Sequence, residues 1–485
     1  MTVARSNFFR AAQFCFPLAF ILLLIADYLE SERSGDNIAK AIYENFVSIY
    51  LPDTQWMAVI CFVLYLLIFL YFHNKKKSQP HLFWLLAFIF VALTNYGLSY
   101  PKSANSRQLP MLIASIALAQ GMVFYKSRHA SSECQPHKKI ILMMIMLLVI
   151  ASVWHPELSQ DFQYHRVRRW TGPWENPNTY GSLMGLCLEL SVGLSICGAI
   201  AQLSGRHRLK ENSHIGLLPF SKGKWKRYVI LVVCTIAGIF ASIGLLHSYS
   251  RGAWLAALCG LSYIVFQVFK TLGLQSRVIQ HIRQNARKLV LLVCAVSILA
   301  FWQYQQSEWL PVRRALSASN VNDFSWRNRL AGWEGCMQMI ACRPWFGLGW
   351  NQPEQVYAYY YRDNKLNEGA SVQLNDYLSL GTTLGLPALG CFMTYVWLRL
   401  RRDEETVHTQ VNPHLDHLLS DERRENHDGA WVAVVESLWL KRVCRAGVIV
   451  LLIGFFFDGG LLTLPTTAPF WILLELGSSS LPLET

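Results

Sequence analysis

Apolar residues in this chain gather into long blocks, and polar residues gather between them. A bilayer-spanning helix needs about 20 mostly apolar residues, within a range of about 17–25. Twelve blocks meet that measure: 13–30, 56–73, 82–100, 110–126, 139–155, 179–203, 228–246, 253–270, 288–304, 376–399, 446–463 and 466–482. The predicted fold class is an all-α polytopic membrane protein of about 12 transmembrane helices. Segment 305–375 is the longest connection, between spans 9 and 10. Loops of that length are uncommon and are usually functional or disordered. This one is rich in Trp and Tyr and has helical periodicity, so it is predicted to be a large, partly helical external loop. The chain then divides into membrane domain 1–304 with spans 1–9, loop 305–375, and membrane domain 376–485. The last holds spans 10–12 and a cytoplasmic loop at about 400–445.

Charge orients the spans. Basic loops such as HNKKKSQPH, KSRHASSECQPHKK and SGRHRLKENSHIGLLPFSKGKWKR follow the second, fourth and sixth spans. The positive-inside rule puts that side in the cytoplasm, with both termini inside. Phe14–Tyr28 lacks a clear small-residue cleavage site and is read as the first retained span.

Composition agrees. Of 485 residues, 53% are hydrophobic and 15% charged, against about 25% charged in a typical soluble chain. The net charge of +13 is carried by the short loops, so it speaks for membrane orientation rather than for nucleic acid. The 12 cysteines show no paired CxxC spacing, and no metal or cofactor site is expected.

Three groups converge on the external side. Tyr164-His165-Arg166-Val167-Arg168-Arg169-Trp170 places three arginines against the positive-inside trend. They suit an anionic ligand such as a phosphate, or ion pairs with Glu157, Asp161 or lipid headgroups. Ser250-Arg251 lies at the outer end of the seventh span, and Gly252 permits a tight turn into the eighth. Arg251 there is a phosphate contact or a snorkelling anchor. In the long loop, Trp326, Leu330, Trp333, Met337 and Ile340 recur at helical spacing and predict an amphipathic helix. Arg327 and Arg329 stand about 160° apart on it, so only one can line a site. The helix is predicted to stop at Arg343-Pro344. Arginines with aromatics and no metal ligands fit a diphosphate, whose departure needs charge stabilisation.

These segments, in this order, resemble the O-antigen ligase and polymerase superfamily of bacterial envelope proteins. Thr171-Gly172 through Glu175-Asn176-Pro177-Asn178 is similar to its G-x-x-x-N-P-N segment, and Ser248-Tyr249-Ser250-Arg251-Gly252-Ala253-Trp254 to its S-R-G-a-W segment. Arg329-x-x-x-Trp333 with Arg343-Pro344-Trp345-Phe346-Gly347-Leu348-Gly349 resembles its R-x-x-x-W…P-x-x-G-x-G segment. Asn375-Asp376-Tyr377-Leu378 and Gly385-Leu386-Pro387 resemble the segment re-entering the membrane. The resemblance runs from about residue 165 to 395.

It implies a metal-independent, cofactor-free, twelve-span glycosyltransferase of the bacterial inner membrane. Such an enzyme moves a glycan from a lipid-linked oligosaccharide, undecaprenyl diphosphate, to a glycan, lipid or protein acceptor. Arg251 and Arg329 would hold the diphosphate, joined by the 166–169 arginines, beneath a periplasmic loop. Ligases usually carry a histidine directly before the Asn-x-Tyr-Leu segment, as the group that activates the acceptor. Here that position is Leu374. His247 is one helical turn before Arg251, so helical spacing makes it the candidate base, with His165, Glu368 and Asp376 as others. Two alternatives stay open: a polysaccharide polymerase, and a transport-associated protein like the superfamily's inorganic-carbon-transporter branch. Glu189 and Asp458, inside spans, are the ionisable groups a transporter would use.

Overall fold

The computed structural model describes residues 80–99, 107–128, 136–154, 158–164, 167–174, 176–212, 222–271, 314, 324–361, 375–401, 424–457 and 459–478. The helices among them are α1 (Pro80–Leu98), α2 (Gln108–Arg128), α3 (Pro136–Trp154), α4 (Pro177–Asn212), α5 (Lys222–His247) and α6 (Arg251–Thr271). They continue with α7 (Phe324–Cys342), α8 (Asp376–Leu384), α9 (Leu386–Arg401), α10 (Arg424–Phe457) and α11 (Leu464–Ser478). Within α4, α5 and α6, segments Pro177–Ile200, Tyr228–His247 and Arg251–Thr271 are long and apolar enough to cross a membrane. The expected spans at 13–30, 56–73 and 288–304 lie outside the described residues.

The chain forms two compact units. In the first, α1 packs on α9, and α8 packs on α7, α9 and α1. Phe88 meets Phe392, and His81 meets Tyr395, so α1 and α9 run antiparallel. In the second, α4 is central and packs on α5, α6 and α10, with α3 beside it. The outward flank of α5 exposes Val232, Ile236, Ile239, Phe240, Ile243 and Leu246. An apolar surface of that extent belongs against lipid, and the chain is a multi-pass membrane protein.

Two departures from the sequence pattern bear on the site. First, the block 376–399 is not one helix: it breaks at Gly385, whose φ is +85°. Leu386 N–H donates to Pro344 O, while Leu348 and Gly349 N–H groups donate to Thr382 and Thr383 carbonyls. The Pro344–Gly349 turn thus satisfies the backbone groups that the break frees. Second, the all-α expectation omits a hairpin: β1 (Leu158–Tyr164) pairs antiparallel with β2 (Val167–Trp170). Pairing places Arg168 outward and Arg169 inward, because strand side chains alternate.

Candidate functional site

In the second unit the site is built around the turn between α5 and α6. Helix α5 ends at His247, and α6 begins at Arg251. Between them Tyr249 adopts φ +49°. Positive φ is uncommon outside glycine, and rarer still for a bulky side chain. Several bonds hold it. Ser248 Oγ donates to Leu245 O at 2.6 Å, and Trp254 Nε1 donates to the same carbonyl at 2.8 Å. Ser250 Oγ accepts from Ala253 N–H at 3.4 Å as a long N-cap. Arg314 Nε donates to Tyr249 O at 3.3 Å.

This overturns two readings of the sequence. The turn is made at Tyr249, and Gly252 lies buried inside α6. The spacing argument that puts His247 and Arg251 on one helical face also fails, because the two residues belong to different helices. His247 is exposed and stacks on Trp170, with ring centroids 4.6 Å apart and planes at 16°. Arg251 is half-buried in the first turn of α6.

The N-P-N segment acts on the same turn. Asn176 Oδ1 accepts from Asn178 N–H, and Pro177 opens α4 without forfeiting a hydrogen bond. Asn178 Oδ1 accepts from Arg169 Nη2 at 2.7 Å, and Arg169 Nε donates to Ser248 O at 2.7 Å. Arg169 is buried and ties β2, α4 and the α5–α6 turn together. Arg168 is exposed on the other side of the strand. Arg166, His165, Glu175, Glu368, Leu374 and Asp458 lie outside the described residues.

In the first unit, α7 has the expected extent and stops before Pro344. Its apolar stripe is divided: Ile340 is buried, and Trp326 and Trp333 are half-buried. Leu330 and Met337 are exposed, while Asn328, Arg329, Cys336 and Met339 are buried. Arg327 is exposed and Arg329 is 8% exposed, so the two arginines separate as their spacing requires. Trp333 is half-buried, edge-on to Trp326 at 5.8 Å. Asn375 caps α8, its side chain accepting from Tyr377 and Leu378 N–H groups. Asp376 is buried and Oδ2 accepts from Leu461 N–H at 2.6 Å. That bond makes it a structural group rather than the base it was a candidate for.

Gly347 and Gly349 take φ +64° and +96°. A methyl group on Gly347 would press into the Thr382 and Thr383 backbone. Sequence reasoning missed Asn95, whose Nδ2 donates to Phe346 O at 2.6 Å and Thr383 O at 3.2 Å. It also missed Trp350, fully buried and bonded to Ala92 O. An amide inside the apolar run FVALTNYG was the available signal for Asn95. Burial pushes the Cys336 thiol up to about 12. Among the described residues no group of three or more His, Cys, Asp or Glu could hold a metal ion.

No curated protein matches the chain significantly. A protein-family model described as O-antigen ligase matches residues 236–393, about one third of the chain. The matched stretch contains the α5–α6 turn, α7 with Arg329, the Pro344–Gly349 turn and the broken helix α8–α9. Residues 236–393 are therefore similar to the O-antigen ligase domain of that superfamily.

Proposed function

We propose that the chain transfers a glycan from an undecaprenyl-diphosphate donor to an acceptor hydroxyl at the periplasmic face of the bacterial inner membrane, during surface polysaccharide biosynthesis. Arg251 carries the reading, as the first residue of α6. A cation there opposes the helix dipole, at a cost of roughly 0.3–1 kcal/mol, so helix stability gives no reason for it. The positive end of the α6 dipole and a guanidinium together favour an anion. The family resemblance gives Arg329, buried on α7, a phosphate-binding role as well. Exposed Arg168 adds positive charge on the hairpin, while Arg169 holds the turn; Arg166 is the further member of this cluster expected from the sequence.

The transfer is a direct displacement. The acceptor oxygen forms a bond to the anomeric carbon, and the bond from that carbon to the diphosphate oxygen breaks. Its electron pair leaves on the diphosphate, where the arginines stabilise it, and the configuration inverts. The hydroxyl proton passes to a base, and exposed His247 is the candidate here. The fuller architecture goes with this reading: about 12 spans, both termini cytoplasmic, and segment 305–375 over the site.

The test exchanges Arg251 or Arg329 for Ala and analyses surface glycan alongside protein level. Each exchange is expected to lower transfer by about 100-fold or more, the scale of losing one oxyanion donor. Unchanged polysaccharide at normal protein level overturns the assignment. A polymerase would use the same donor and differ only in acceptor. A transport-associated role is favoured by one observation, the buried carboxyl of Glu189 in α4.

A further inference from the structure

Helices α4 and α6 run parallel and approach closely along small residues. Gly181 faces Ser248 and Ala253, Gly185 faces Ala257, and Gly193 faces Ile264. Helix α10 closes the third side, with Val450 against Gly185 and Gly260, and Val443 against Gly193. One member of the α4 stripe is not small. Glu189 occupies the position between Gly185 and Gly193 and points at Gly260. A methyl group on Gly260 would stand 2.9 Å from Glu189 Oε2.

Glu189 is 0% exposed, and both carboxyl oxygens lack a hydrogen-bond partner among the described residues. It lies 12 residues into α4, about 18 Å along the axis from Pro177. Among the described residues, the elements around it offer no counter-charge. Helix α6 presents Gly260 and α10 presents Val450. On α4 itself Cys187 is two residues away, and α5 carries Cys234. The charged residues of α6, Arg251 and Lys270, are near its two ends. On α10, Arg442 Nη1 donates to Thr271 Oγ1 and Arg445 Nε to Gly477 O, and Lys441 directly precedes Arg442. None forms an ion pair with Glu189.

A carboxylate in such a place would be a buried charge without donor or partner, which proteins avoid. The neutral acid fits a dry seam. We propose that Glu189 is a proton-binding site in the membrane core, and that its bound proton holds the α4–α6–α10 seam closed. When the O–H bond breaks, the proton passes to water, and the carboxylate must itself be hydrated. The seam then parts to admit water, and α6 is the helix it releases. Gly260 is nine residues, about 14 Å, from Arg251 on that helix, so the proton governs the position of the external turn. This site does not depend on glycan transfer being the activity.

Two measurements on purified protein in nanodiscs test it. Infrared difference spectra between neutral and alkaline pH are expected to show a protonated-carboxyl stretch that Glu189→Gln removes. Amide exchange over residues 253–264, corrected for its intrinsic pH dependence, is expected to rise about tenfold over the same interval in the wild type. It should stay flat in Glu189→Gln, which keeps the shape and cannot ionise. A carboxyl band that survives the exchange overturns the proposal, as does an exchange profile shared by both proteins. If Glu189→Gln fails to accumulate, Glu189→Asp decides: its shorter acid must shift the band, and an unmoved band overturns the proposal. Both readouts are independent of glycan analysis, so a failure here is distinct from a failure of the transferase reading.

Discussion

Two turns of this protein are built by opposite means. The Ser248–Ser250 turn of the second unit is held by side chains. Arg169 and Arg314 donate to the carbonyls of Ser248 and Tyr249, and Trp254 and Ser248 donate to that of Leu245. The Pro344–Gly349 turn of the first unit is held chiefly by backbone, with the Asn95 side chain donating to Phe346 O and Thr383 O. Its bonds run between Leu348, Gly349, Thr382, Thr383, Leu386 and Pro344 main-chain atoms. A turn closed by main chain leaves no room for Cβ atoms, so its glycines and proline are fold-makers. A turn closed by polar side chains keeps its shape only while each donor finds its acceptor. Motifs of equal prominence in the sequence therefore do different things.

The largest effect is expected where backbone meets backbone. A Cβ on Gly385 would collide with the Trp345 carbonyl, and the residue sits at φ +85°. Strain of about 1–3 kcal/mol and overpacking of about 1–3 kcal/mol act together in Gly385→Ala. Folded protein in detergent extracts should fall steeply, read by size-exclusion profile and thermal unfolding. A variant as stable as wild type would mean that main-chain contact does not shape this turn.

Arg169→Ala comes next. It removes two donors and leaves a buried acceptor at Ser248 O and a partly buried one at Asn178 Oδ1. Roughly 2–4 kcal/mol of stability should be lost. Arg169→Lys keeps the charge but cannot span both acceptors, since lysine is a point donor rather than a fork. It should recover less than half of the loss in unfolding midpoint. Full recovery would show that charge, not geometry, holds the turn. Trp254→Phe is milder. It gives up the Nε1 bond to Leu245 O while keeping an aromatic ring. About 1 kcal/mol is expected, and no change would remove Trp254 from the set of side chains that close the turn.

The sequence made the described spans legible because apolar content and length suffice for them. Helices α3 and α5 start and stop within a few residues of the pattern that predicts them, apart from the extra first turns of α5. The break at Gly385 is not legible from apolar content, which continues across it; its signal is Gly385-Leu386-Pro387, a glycine and then a proline suited only to a first helical turn. The hairpin was hidden because VRRW is too short and too charged to look like a strand. The pairing of His247 with Arg251 failed for one residue, Tyr249, in a conformation that spacing rules do not anticipate. On α7 the hydrophobic period correctly located the helix. Which face turns inward is not given by the period alone. In a membrane protein apolar residues such as Leu330 and Met337 can face outward, and a polar face can turn in.

The burial of the Arg329 face of α7 can be tested with almost no perturbation. Cys336 follows Arg329 by seven residues, so helical geometry puts both on the same face. Cys342 ends the helix and is exposed. Only the thiolate reacts with alkylating reagents. A thiol raised from its ordinary value to about 12 has, near pH 8, roughly a thousandfold smaller thiolate fraction. Raising pH through the alkaline range should increase labelling of Cys336 by about tenfold per unit, since its thiol stays mostly protonated below that value. Peptide mass spectrometry after brief labelling at pH 8 should find Cys342 modified and Cys336 intact. Equal labelling would mean that water reaches the inward face of α7. Arg329 would then be a solvated surface cation, and the contrast with the half-buried Arg251 would rest on the second unit alone.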